Sequence, residues 1–321
     1  THLHHITLGG VATQMTQDAG VHTATSNRHL TVVTAASLET TGVKTTVWRD
    51  GLEMGSIEDL SERPDIQVFI NLHSVGPHNS LNSAVLLPEN ADRDTPLPVL
   101  VDPYGGPHGQ RVIKSTNAHR VSQWFANQGF FVVVTDGRGT PGKGPNYERA
   151  VWGDLAQPAL DDQILALDQI KKEYSGMDLN RVGIRGWAYG GYLAALAVIR
   201  RPDRFKAAIA GAPVTDWRLY DTHYTERYLG HPDEHPDHYG KTDLTAEAAL
   251  LSRPLLLIHG LSDDNVVAAH TFKLSKALLE AGRAHQVLPL SGVTHMTPQE
   301  SVAENLLLLQ LTFLKEMLKP L

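Results

Sequence analysis

Residues 186–192 constrain this chain more than any other stretch. They read Gly186-Trp187-Ala188-Tyr189-Gly190-Gly191-Tyr192. Just before them, Val182-Gly183-Ile184 is a short apolar run suited to a buried strand, and residues 192–198 read as a helix. A glycine-flanked turn between strand and helix must be tight, and side chains at its glycines would strike the sheet or the helix. The central residue of such a turn projects into a cleft on a strained backbone, where Ser, Cys or Asp would serve as a nucleophile. Here it is Ala188, and a methyl group cannot attack a carbonyl. Either the nucleophile has been replaced, or the turn serves a fold that no longer performs the reaction.

The composition narrows the class. With 321 residues the expectation is one large domain or two, and 41% hydrophobic residues suit an ordinary globular protein. A formal charge of −7 without a basic cluster argues against nucleic-acid binding. No apolar run approaches the roughly 20 residues of a membrane span. With no cysteine, disulfides and thiolate metal sites are excluded, although the compartment (cytoplasmic, periplasmic or secreted) stays open. The start, Thr1-His2-Leu3-His4-His5, has no signal-peptide pattern and reads as an internal point of a longer polypeptide.

The pattern changes near residue 65. Residues 21–25, 29–35 and 44–49 read as short strands, with a turn at Arg49-Asp50-Gly51. They make about one β-propeller blade, so residues 1–65 are expected to be the end of a propeller, with a small sheet packed on the main domain as the alternative. From 66 to 321, strands expected at 66–72, 83–87, 98–101, 130–135, 182–184, 206–210, 255–258 and 286–290 alternate with helices expected at 117–127, 159–173, 192–199, 268–281 and 301–318. Most of these strands are near-continuously apolar, as strands buried on both faces must be. The fold class is therefore α/β, a mostly parallel sheet with helices on both sides. The strand–turn–helix makes it an α/β-hydrolase fold.

That fold orders its catalytic groups as nucleophile, acid, histidine. The strand at 255–258 ends in Leu261-Ser262-Asp263-Asp264-Asn265-Val266, and the next strand ends in Ser291-Gly292-Val293-Thr294-His295-Met296. Loops at carboxyl ends of such strands lie beside the site. Asp263 and Asp264 are both candidates for the acid, and His295 is the natural base. Taken singly, each aspartate reads as a turn residue and His295 as a surface histidine. An oxyanion hole is expected from the Tyr189 N–H and from the Tyr104-Gly105-Gly106-Pro107 segment after an earlier strand.

Here the chain resembles the prolyl oligopeptidase family, on its dipeptidyl peptidase IV branch. The family turn Gly-Trp-Ser-Tyr-Gly-Gly-Tyr differs only at Ala188, and its Asp-Asp-Asn-Val loop matches residues 263–266. The resemblance implies Asp263 as the acid, His295 as its histidine and the Tyr104 hydroxyl as an oxyanion donor. Residues 212–228 resemble that branch most closely. They imply a proline slot of Val214, Trp217, Tyr220, Tyr224, Tyr189 and Val266, with Asn265 holding the preceding carbonyl. A flat aromatic slot also suits proline on physical grounds, since that side chain is small, rigid and apolar. The implied activity is release of Xaa-Pro or Xaa-Ala dipeptides from peptides with a free amino terminus. No cofactor is implied, and the amine-binding acidic residues would belong to the upstream propeller. The alternatives are an acylaminoacyl or oligopeptidase-type serine peptidase, an esterase, or a pseudoenzyme that binds peptides or a partner.

Three features have plainer readings. Residues 231–238, His-Pro-Asp-Glu-His-Pro-Asp-His, predict a solvated loop rather than a metal site. His2, His4 and His5 read as strand residues. Asp136-Gly137-Arg138-Gly139-Thr140 lacks the lysine of a phosphate loop. In the last helix, Leu307, Leu311, Leu314 and Leu318 form one apolar stripe, and Leu306, Leu309, Phe313 and Met317 a second. The second stripe predicts a homodimer contact, or else further packing within the chain.

Overall fold

The computed structural model describes residues 1–319; Pro320 and Leu321, the end of the expected catalytic domain, lie outside the described residues. The chain divides into two compact units, residues 1–68 with 113–124, and residues 69–112 with 125–321.

The first unit is built of hairpins. Strands β1 (His4–Ile6) and β2 (Ala12–Gln14) pair antiparallel. His4 and His5 lie in β1, whereas His2 precedes it. Strands β3 (Val21–Ser26), β4 (Leu30–Ala36), β5 (Val43–Arg49) and β6 (Leu52–Ile57) form an antiparallel meander. Asp50 and Gly51 join β5 to β6 with φ of 51° and 81°. Two positive φ values match the right-handed twist of the flanking strands, which explains the Asp-Gly pair. Apolar burial is thin here: Val33 is the one large aliphatic side chain of this sheet that is fully covered.

The second unit holds an eight-stranded sheet in the order β14-β13-β12-β11-β9-β10-β8-β7. Its strands are β7 (Ile70–Val75), β8 (Leu81–Leu86), β9 (Leu97–Val101), β10 (Phe131–Asp136), β11 (Met177–Trp187), β12 (Ala207–Gly211), β13 (Leu255–Gly260) and β14 (Gln286–Leu290). From β10 through β9 and on to β14 all pairings are parallel, while β8 runs antiparallel to both its neighbours. Every residue of β10, β12 and β13 is buried, as strands covered on both faces require. The edge strand β14 is only partly covered. The first strand begins at Ile70, not at residue 66. Ile66, Val68 and Phe69 lie outside it, and the Ile66 amide closes a turn on the Pro64 carbonyl instead.

The helices are α1 (Arg120–Asn127), α2 (Pro145–Glu148), α3 (Gln157–Ile170), α4 (Tyr189–Arg200), α5 (Thr222–Leu229), α6 (Pro236–Gly240), α7 (Ala269–Glu280) and α8 (Glu300–Met317). Helix α4 is apolar almost throughout and packs on β11 and β12. Helix α8 reaches the sheet at Gly183, where a β-carbon would stand 3.1 Å from Leu314 and 2.9 Å from Leu318, the residue after the helix. Its two apolar stripes are not separate faces: Leu306 and Phe313 of the second are already buried within the chain, as are Leu311, Leu314 and Leu318 of the first. Leu308 and Leu309 stay exposed. From β9 the chain moves outward to β10, then crosses to β11 on the other side of β9. This reversal opens a crevice beyond the carboxyl ends of β9 and β11, where ligands bind in sheets of this kind.

Candidate active site

Ala188 sits at the apex between β11 and α4, with φ 54° and ψ −113°. A side-chain-bearing residue held there costs about 1–3 kcal/mol, so the surroundings must impose it. The Ala188 amide donates to the Gly211 carbonyl of β12 at 2.9 Å, and its own carbonyl accepts from the Tyr192 amide at 2.9 Å. A β-carbon at Gly186 would lie 2.2 Å from the Gly190 carbonyl oxygen, and one at Gly190 would lie 2.6 Å from the Pro103 oxygen. The two glycines are thus required by close approach of three backbones.

His295 lies in the loop after β14. Its Nδ1 is 2.7 Å from Asp263 Oδ2, across 32 residues of sequence. The Asp263 carboxylate is fully covered. Its Oδ1 accepts the Asn265 and Val266 amides at 3.0 and 2.9 Å, so the loop after β13 folds back upon it. With the carboxylate accepting, Nδ1 carries the proton and Nε2 of a neutral His295 keeps a lone pair. Trp187 donates its indole N–H to the His295 carbonyl at 2.8 Å, tying the histidine loop to the residue before Ala188. Asp264 is exposed.

A second histidine supports this carboxylate. The His259 ring, in β13, lies between Thr271 Oγ1 and the Val266 carbonyl, each at 2.7 Å, with Nε2 also 3.5 Å from Asp263 Oδ2. Burial holds its pKa below the usual value, so the ring is neutral at pH 7.

Tyr104 follows β9, which places it at the crevice beside the apex. Its ring stands 5.8 Å from that of Tyr189. Burial pushes its pKa up to about 12, so the phenol remains a hydrogen-bond donor across the neutral range. A β-carbon at Gly109 would fall 2.1 Å from the Tyr104 ring, and one at Gly106 would fall 2.2 Å from the Tyr189 ring. The glycine-rich loop therefore makes room for both phenols. Tyr189 donates its own hydroxyl to the Leu155 carbonyl at 2.6 Å. Its backbone N–H, in the first turn of α4, has no intrahelical acceptor.

The aromatic residues after β12 converge. Trp217 and Tyr224 stack at 5.8 Å and 7°. Tyr220 meets both edge-on at 6.0 and 5.4 Å, and Tyr189 lies 5.9 Å from Trp217. Val214 and Val266 are buried. Two aspartates set these rings. The Asp216 carboxylate accepts the Arg218 amide at 3.0 Å and caps the short turn Trp217–Leu219; Asp221 accepts the Tyr224 amide at 2.9 Å and caps α5. The Tyr220 hydroxyl donates to Asn265 Oδ1 at 2.9 Å. With its oxygen occupied, the exposed Asn265 amide has its N–H donors left to offer.

The geometry adds two groups that the sequence pattern does not single out. Asp102, at the end of β9, is buried and accepts from Arg185 of β11 at 2.9 Å and from Arg111 at 3.3 Å. Arg185 also donates to Gln310 of α8 at 3.0 Å. This network joins the strand leading to Tyr104 with the strand leading to Ala188. His108, with φ 71°, sets its ring 4.9 Å from Tyr224 and 5.9 Å from Tyr228. Its only sequence signal is its place at the end of the Gly-Gly-Pro run.

Known proteins are similar to this chain in sequence and in fold. A sequence model of the prolyl oligopeptidase family matches residues 116–320. Dipeptidyl peptidase 8 of Homo sapiens is 43% identical over 197 residues, 59% of this chain and 22% of that protein. Prolyl endopeptidase FAP of Homo sapiens is 35% identical over 214 residues, 66% of this chain and 28% of that protein. The crystal structure of Porphyromonas gingivalis dipeptidyl peptidase 4 is similar with a TM-score of 0.87 and 28% identity, covering 99% of this chain and 46% of that one. The chain thus spans less than half the length of each of these relatives. With the family match running over most of its length, and with the turn, the Asp263–His295 pair and the sheet order all in place, the chain belongs to the prolyl oligopeptidase family.

Proposed function

We propose that this chain is the carboxyl-terminal catalytic part of a serine exopeptidase that releases Xaa-Pro and Xaa-Ala dipeptides, inactivated here by alanine at the nucleophile position. The observation that carries the reading is the 2.7 Å contact between Asp263 and His295, preserved beside a strained apex that holds Ala188. A fold kept only for binding has no physical need for that pair. The relatives named as dipeptidyl peptidases support the substrate class.

In the serine form, the hydroxyl at position 188 attacks the carbonyl after the prolyl residue while His295 Nε2 takes its proton. Asp263 holds the ring and stabilises the imidazolium. The Tyr104 hydroxyl and the Tyr189 amide donate to the oxyanion. His295 returns the proton to the leaving amine, and water then cleaves the ester with His295 again as base. Val214, Trp217, Tyr220, Tyr224, Tyr189 and Val266 bury the prolyl ring, and the Asn265 amide donates to the preceding carbonyl. The group that binds the substrate's amino terminus is assigned to upstream propeller sequence, of which the first unit is the end. Leu308 and Leu309, exposed on α8, are assigned to a homodimer contact.

Ala188 itself favours a second reading, a natural pseudoenzyme that binds peptides. The Ala188→Ser variant separates the two. Loss of a nucleophile costs on the order of 10⁶ in turnover, so its return is expected to recover activity of that size on Xaa-Pro chromogenic amides with free amino termini. Cleavage of blocked substrates would redirect the assignment to an acylaminoacyl or oligopeptidase type. A folded variant without turnover would leave the binding role.

A further inference from the structure

Residues 231–235 form the largely exposed turn that their prolines suggest, but the stretch does not stay a loop to its end. Pro236 starts helix α6, with His235 at its N-cap, and His238 and Tyr239 are buried. One helical turn gathers His235, Asp237 and His238, so that one donor atom from each lies within 4.8 Å of the others.

His238 is 8% exposed, and its Nδ1 lies 2.8 Å from the Leu229 carbonyl. A carbonyl only accepts, so Nδ1 carries the proton and Nε2 of the neutral ring holds a lone pair. That nitrogen faces Asp237 Oδ2 at 3.8 Å. The His235 ring lies flat on His238 at 4.7 Å, and Trp152 meets the two rings edge-on at 5.7 and 5.0 Å. Gly153 keeps the front of the lone pair open, since a β-carbon there would stand 3.0 Å from Nε2. Holding the Leu229 carbonyl explains His238 alone. It does not explain a second imidazole and a carboxylate brought to the free nitrogen.

We propose that His235, Asp237 and His238 bind a divalent transition-metal ion of the zinc class. Two imidazoles and one carboxylate suit that class, whereas calcium and magnesium prefer oxygen donors throughout. Bonds of about 2.0–2.1 Å place tetrahedral donors roughly 3.3 Å apart. Binding therefore tilts His235 out of its stack and swings the exposed Asp237 inward, with His238 as the fixed point and water completing the shell. The ion would sit on α6 alone and fix His238, whose Nδ1 holds the Leu229 carbonyl at the end of α5, the helix that carries Tyr224 and Tyr228. The inference is independent of the peptidase reading.

The test is zinc titration by calorimetry of the chelator-stripped chain, with copper quenching of tryptophan fluorescence as a second readout. The chain has 17 histidines, so the variants carry the assignment. His235→Ala, Asp237→Asn and His238→Gln are each expected to weaken one zinc equivalent at least tenfold and to reduce quenching. The His238→Gln amide can still donate to the Leu229 carbonyl, which keeps the fold. Trp152→Phe is expected to keep the stoichiometry and lose most of the quench, and His231→Ala to change neither. The proposal is overturned if the parent chain takes up no zinc, or if folded His235→Ala and His238→Gln bind it as the parent does.

Discussion

At the scale of single residues, Tyr104 offers the clearest separation of roles. In the Ala188→Ser background, Tyr104→Phe keeps the ring against Tyr189 and removes one donor. Losing one oxyanion donor costs about 10²–10³ in kcat. Steady-state kinetics should therefore show kcat falling by that factor with KM little changed; a pure KM effect would remove Tyr104 from the oxyanion hole. Asp263 and His295 were legible as candidates because they follow consecutive strands in the order the fold demands. Asp102 was not legible, because its partner Arg185 lies 83 residues away and nothing local marks the pair. His108 was hidden for a related reason: its contacts come from α5, far along the chain.

Among elements, the long apolar runs declared themselves and the short capped ones did not. Strands β10, β12 and β13 are buried on both faces, which leaves a continuous apolar signature in the sequence. Helices α5 and α6 have eight and five residues, too few for a helical period to emerge, and α5 rests on the Asp221 cap. The first strand was misplaced by four residues because Ile66, Val68 and Phe69 are strand-like without joining the sheet. Helix α8 showed its two stripes, but not that one chain could bury much of both. Since α5 carries Tyr224, its cap bears on the aromatic cluster. Asp221→Ala is expected to destabilise by about 1 kcal/mol, as loss of an N-cap usually does. In the serine background it should raise KM for prolyl substrates more than it lowers kcat. Urea melts and initial rates test the two statements separately.

For the whole molecule, buried histidines are expected to contribute to the loss of stability in acid. His270, on α7, accepts the Thr215 amide at 3.2 Å and is fully buried; burial lowers its pKa to about 4. An unfolded histidine titrates near 6.5, so between about pH 6.5 and 4 the unfolded chain binds the proton and the folded chain does not. Stability is full above that window and is lost as pH falls through it, by about 3 kcal/mol from His270. His259 adds in the same direction. Urea unfolding at pH 7 and at pH 4.5 should show the loss, and His270→Asn should flatten the slope even if it lowers the plateau. An unchanged slope would mean that other groups govern the acid limb. The sequence changes near residue 65 from short alternating strands to long apolar ones, but nothing in it marks residues 113–124 as grouping with residues 1–68. Nothing in that short segment differs in composition from its neighbours.

Strand β6 brings a different matter to this scale. All six of its residues are exposed, including Leu52, Met54 and Ile57, and it ends its sheet with no neighbour on the outer side among the described residues. A bare, greasy ribbon of that kind is an adhesive for other chains. The colloidal behaviour of the protein is therefore expected to depend on this uncovered strand, however well the large sheet resists unfolding.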